Sequence, residues 1–174
     1  MEKIKQLIEK SLSNEEILQI INNKANLISY PDVHKYRDLD ELLGKYGACV
    51  ILYEWKNLYG HWTCIFKLDD ETVEFFDPYS LFPDKELKFI NKEYRIKTHQ
   101  NFPYLTSLML KSPYVLTYND FPFQQYKEKV NTCGRWVAIR LLFRFMPLHD
   151  FIKLFGKKRK YSKDFYATLL TNYA

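Results

Sequence analysis

The chain has 174 residues, 47% of them hydrophobic and 17% aromatic, with a net charge of +5. This length fits one domain, residues 1–174, with a core that needs no disulfides, and the aromatic content excludes a disordered chain. No run approaches the roughly 18 apolar residues of a membrane helix, and the charge permits contact with nucleic acid without requiring it. The opening MEKIKQLIEK is charged and lacks the apolar stretch of a signal peptide, so an intracellular or particle-enclosed protein is expected.

In chain order, Ile4, Leu7, Ile8 and Leu12 recur at helical spacing, and Ser13-Asn14-Glu15-Glu16 reads as a capping box that starts a second helix through Ile21. Asp38 to Gly44 suggests one or two helical turns ended by glycine. Ala48 to Tyr53 is short, apolar and β-branched, the signature of a buried strand. His61 to Leu68 and Val73 to Phe76 flank a polar Asp69–Thr72 segment, the pattern of an antiparallel hairpin stopped by Pro78. A short helix through Leu105, Leu108, Met109 and Leu110 precedes a strand from Tyr114 to Tyr118. The clearest helix begins near Cys133 and carries Val137, Ile139, Leu141, Leu142, Phe145 and Met146 before Pro147 ends it; apolar residues almost all round it predict a central position. Two shorter helices, Asp150–Phe155 and Asp164–Leu170, follow.

Three cysteines, an odd number without a CxxC pair, argue against a disulfide framework and a structural zinc site. Cys49 and Cys64 fall inside apolar strands and are assigned to the core. Cys133 sits where a loop becomes a helix, so the positive end of the helix dipole favours its thiolate; Gly134 would let a substrate approach closely. His61 opens one hairpin strand and Asp77 follows the other, so both belong to the same end of the sheet. Pairing about Asp70-Glu71 sets Asp77 opposite Cys64, about 10 Å of strand from His61, a separation that a bulge, loop or twist must close. Gln124 and Gln125, nine and eight residues before Cys133, are candidate oxyanion donors. Trp62 would cover the imidazole or join the core. Lys157, Lys158, Arg159 and Lys160 form a basic run that a nucleic acid could contact.

The ordered set Gly60-His61-Trp62, Phe76-Asp77-Pro78-Tyr79, Gln125 and Thr132-Cys133-Gly134 resembles the adenovirus maturation protease (adenain) and the related ubiquitin-like-protein-specific proteases. Phe76-Asp77-Pro78-Tyr79 and Cys133-Gly134-Arg135-Trp136 look most similar to proteases of double-stranded DNA viruses, including those of virophages and giant viruses. The resemblance spans about Gly60 to Phe145. It implies an α+β, papain-like cysteine protease fold in which a small antiparallel sheet packs on a central helix. The implied site is His61 as base, Asp77 as its orienting acid, Gln125 as oxyanion donor and Cys133 as nucleophile, with no cofactor and no metal. Two departures stand out: the interval from Gln125 to Cys133 is longer than in the better-known relatives, which keeps Gln124 as a rival, and Ser80 occupies a place where viral relatives often have glycine.

The expected activity is that of a cysteine endopeptidase acting on viral capsid or core precursors during particle maturation, in the virion or the host cytoplasm. The alternative is a deubiquitinase or SUMO-type isopeptidase acting on host conjugates. A third reading, a binding module that has lost catalysis, ranks last because all four site residues are present.

Overall fold

A computed structural model describes residues 2–172. Two helices open the chain, α1 (Glu2–Glu9) and α2 (Asn14–Ile20), and the expected capping box is present: the Ser13 hydroxyl accepts from the Glu16 amide and the Glu16 carboxylate from the Ser13 amide. The strands are β1 (Asn26–Ser29), β2 (Ala48–Lys56), β3 (Tyr59–Lys67), β4 (Thr72–Phe76) and β5 (Val115–Tyr118), hydrogen-bonded in that order in one sheet. Helix α3 (Leu39–Leu43) precedes β2, and α4 (Lys92–Lys97) and α5 (Tyr104–Lys111) lie between β4 and β5. The chain closes with α6 (Cys133–Leu142), α7 (Leu148–Gly156) and α8 (Lys163–Leu170).

The sheet is antiparallel only in its centre, β2-β3-β4; β1 on β2 and β5 on β4 are parallel edges. Tight connections join the central strands, whereas each edge strand returns through a helical crossover, and a crossover of that length permits parallel pairing. One face carries the core of Val50, Leu52, Cys64, Phe66 and Phe76 against Trp136, Val137 and Phe151. The other packs Cys49, Ile51, Ile65 and Phe75 against Tyr30, Leu42 and Leu105. Every residue of α6 from Cys133 to Leu141 is buried, as a helix apolar all round requires. A central helix that opens at a cysteine, packed on a sheet that carries a histidine, is the α+β, papain-like arrangement expected.

Helix α6 ends at Leu142, short of the expected Met146. Beyond it the chain turns back so that the carbonyls of Phe143 and Met146 accept from the Arg140 guanidinium. Arg140 and Glu74 form a two-pronged ion pair, Nε to Oε1 at 2.8 Å and Nη2 to Oε2 at 2.9 Å, between side chains 0% and 1% exposed. Phe66 and Phe151 cover the guanidinium at 5.1 and 4.9 Å. This pair fastens α6, the helix that opens at Cys133, to β4, the strand that leads into Asp77.

Two glycines serve packing. A side chain on Gly60 would put its Cβ 1.8 Å from the Tyr53 carbonyl oxygen, where the β2–β3 register shifts. At Gly134 a Cβ would meet Ile17, Trp62 and Leu12 at 3.0 to 3.3 Å, so its missing side chain lets the helix approach the sheet and α2; it does not open onto a cleft for substrate.

Removing one partner of the buried pair leaves the other charged and unpaired, so Glu74→Leu and Arg140→Met are each expected to lower stability by about 3–5 kcal/mol. The double substitution to Leu and Met, measured by chemical denaturation, should cost less than the two single losses added together.

Candidate active site

Asp77 leaves β4 and enters a tight turn: its Oδ1 accepts from the Tyr79 amide at 2.7 Å and its carbonyl accepts from the Ser80 amide at 2.8 Å. Asn119 holds the same residue from the far side, accepting from the Asp77 amide at 2.9 Å and donating to its carbonyl at 2.7 Å. The carboxylate reaches His61 Nε2 at 2.9 Å, and both side chains are 1% exposed. No bulge in the β3–β4 ladder is needed. Cys64 pairs with Phe76, one residue off the register expected, so Asp77 falls next to Thr63 and onto the side of the sheet that His61 shares.

Because Nε2 serves Asp77, Nδ1 is the nitrogen left for Cys133, which lies near enough to help raise the His61 pKa; among the described residues no hydrogen bond joins the two. Burial alone would strip the proton from this ring. The Asp77 carboxylate, by charge and hydrogen bond, outweighs that cost, with help from Cys133, and holds the His61 pKa well above its ordinary value. The Tyr79 ring stacks on the imidazole at 4.7 Å and 15° and excludes water from it. Trp62 takes the core role, its indole N–H donating to the Leu12 carbonyl and its ring lying over the first turn of α6. Cys49 and Cys64 are fully buried, and burial pushes both thiols far up, so they remain protonated.

Asp164, at the start of α8 and 1% exposed, organises the surroundings of Cys133 and was not singled out by the sequence pattern. Its carboxylate accepts from the Thr132 hydroxyl, from the Trp136 indole at 2.9 Å and from the Gln125 amide at 3.1 Å. Thr132 occupies the N-cap of α6, where a hydroxyl would normally accept from the first turn. Asp164 draws that hydroxyl away, and no side chain caps the helix. The first-turn amides, that of Cys133 included, have no carbonyl within the helix to bond and no side-chain cap.

The two glutamines differ. Gln124 is 3% exposed, and its Nε2 donates to the Tyr79 hydroxyl at 3.0 Å and the Val130 carbonyl at 2.8 Å, which commits both of its protons. Gln125 is exposed; its backbone is anchored by Asp164 and its side chain borders a large cavity. Among the described residues neither amide is bonded to Cys133. The Lys157–Lys160 run lies exposed between α7 and α8. Among the described residues no cluster of His, Cys, Asp and Glu could hold a metal, and no helix is long and apolar enough to cross a membrane.

No established family profile matches the chain. Among solved structures it is similar to the SUMO protease Ulp1 (16% identity, TM-score 0.41, 94% of this chain and 78% of that one). It is also similar to the Ulp1 protease domain bound to the yeast SUMO orthologue Smt3 (15%, TM-score 0.39, with the same coverage). The central domain of Lpg1148 from Legionella pneumophila is a further neighbour (13%, TM-score 0.37, 92% of this chain and 86% of that one). In sequence, the uncharacterized protein V9 of Sputnik virophage is 42% identical over 174 residues, covering 98% of this chain and 99% of that protein.

A raised histidine pKa means that the imidazolium contributes stability fully below about pH 6.5, and that this contribution is lost as pH rises through the folded value. His61 should therefore remain protonated at pH 7 by NMR, and Asp77→Asn should move its titration downward. The chain belongs to the family of the Sputnik virophage protein V9.

Proposed function

We propose that the protein is a cysteine endopeptidase that cleaves viral capsid or core precursors, with Cys133 as nucleophile. One observation carries the reading: a buried carboxylate–imidazole pair has its second ring nitrogen uncommitted, Cys133 stands at the uncapped start of a central helix near enough to help raise the pKa of that ring, and burial holds the two remaining cysteines as inert thiols. His61 Nδ1 already holds the proton that Cys133 gives up, so the sulfur attacks the peptide carbonyl as a thiolate paired with the imidazolium, and the C–N bond breaks as Nδ1 delivers that proton to the leaving amine. Water, deprotonated by His61, then hydrolyses the thioester and frees the sulfur. Asp77 fixes the ring orientation and keeps the imidazolium favourable.

The negative oxygen of the tetrahedral intermediate is stabilised by the Cys133 amide and by Gln125. The argument for Gln125 over Gln124 is donor availability, because both amide protons of Gln124 are already engaged. The substrate class, and action in the virion or the viral factory, follow the resemblance to maturation proteases together with membership of a family that includes a virophage protein.

Incubation with candidate viral capsid and core precursors should give cleavage that Cys133→Ala abolishes; equal cleavage by both proteins would exclude Cys133. Gln125→Ala should lower kcat about 10²-fold, far more than Gln124→Ala, and the reverse order would move the oxyanion role to Gln124. A ubiquitin or SUMO vinyl sulfone that labels Cys133, while the precursors stay intact, would replace maturation with deconjugation.

A further inference from the structure

We propose that Glu86 is a specificity-determining residue: it forms the acidic floor of an aromatic-walled cavity that takes a lysine or arginine side chain of the substrate. The inference rests on the protease reading above. The cavity has a volume of about 930 Å³; Trp55, Tyr79, Phe89 and Tyr126 wall it and Gln125 borders it. Tyr79 is the ring stacked on His61, so the cavity and the catalytic pair share a wall.

Glu86 sits in a 3-10 turn, Lys85–Phe89, and is 3% exposed. Its Oε1 accepts from the Trp55 indole N–H at 2.8 Å, and among the described residues no other hydrogen bond reaches this carboxylate. Burial pushes its pKa up, against the pull of His61, the Trp55 hydrogen bond and Lys88. A neutral apolar side chain entering the cavity would desolvate the carboxylate further and give nothing back. A cation would meet both the free oxygen and the electron-rich ring faces, a pairing that gains strength as water leaves. The lysines of the lining do not supply that charge. The Lys163 ammonium donates to the Pro122 carbonyl and lies 4.3 Å over the Phe121 ring, and Lys127 is exposed at the mouth. Guanidinium and ammonium share this chemistry, and comparing Arg with Lys peptides separates them.

The test is a peptide library, made by digesting a proteome with a glutamate-specific protease and exposed to the purified protein or to its Cys133→Ala variant. Cleavage sites read by mass spectrometry should show Lys or Arg enriched at one fixed distance from the broken bond. A peptide with that residue should be cut about tenfold faster or more than its norleucine analogue. Glu86→Gln keeps the shape of the side chain and a carbonyl acceptor for Trp55; it should erase the preference, so that the basic peptide and its norleucine analogue are cut at the same rate. Cys133-dependent cleavage without a basic preference, or a preference that survives Glu86→Gln, overturns the role of Glu86 and leaves the protease reading standing. Absence of any Cys133-dependent cleavage overturns both.

Discussion

The 2.9 Å contact between His61 Nε2 and the Asp77 carboxylate, with both side chains 1% exposed, sets the terms for the rest of the molecule. Neither group tolerates burial alone: the ring would lose its proton and the carboxylate its solvation. Together they are stable only in one geometry, and the surrounding residues impose it. Asn119 and the Tyr79 amide fix Asp77, while Tyr79 stacks on the ring and Gln124 in turn holds the Tyr79 hydroxyl. A proton-binding ring with one nitrogen committed has its other nitrogen free for the thiol.

The start of α6, which bears Cys133, is held near this pair by polar contacts buried in an otherwise apolar core. Arg140 and Glu74 tie α6 to β4, so the helix that bears Cys133 is joined directly to the strand that leads into Asp77. Asp164 gathers Thr132, Trp136 and the Gln125 backbone, and it leaves the start of α6 without a side-chain cap. Such groups are costly to bury and are justified by orientation: they specify where a sulfur, a ring and a helix start stand relative to one another.

Much of this was legible in the sequence because it is written in local patterns. The capping box of Ser13 and Glu16, the hairpin around Asp69–Thr72 and the all-round apolar helix after Cys133 each depend on neighbours in the chain. His61 and Asp77 could be placed at one end of the sheet, but their register was one residue off, since a polar turn does not reveal which residue it spends. Strand β1, Asn26–Ser29, is short and mixed, and its pairing with β2 is a tertiary fact with no local signature. The polar helix Lys92–Lys97 lacks an apolar stripe to announce it. Arg140 and Asp164 read as ordinary charged residues; only the fold puts a carboxylate against one and a hydroxyl and an indole against the other. Gly134 shows the converse, a motif residue whose space is filled by Trp62, Leu12 and Ile17.

Alkylation of the three cysteines by iodoacetamide, followed residue by residue with mass spectrometry, tests the central claim without a substrate. If a buried imidazole activates one sulfur, Cys133 reacts much faster than Cys49 and Cys64, and His61→Ala slows Cys133 alone. Modification of Cys133 no faster than the two core thiols, or at a rate indifferent to the loss of His61, would contradict the account.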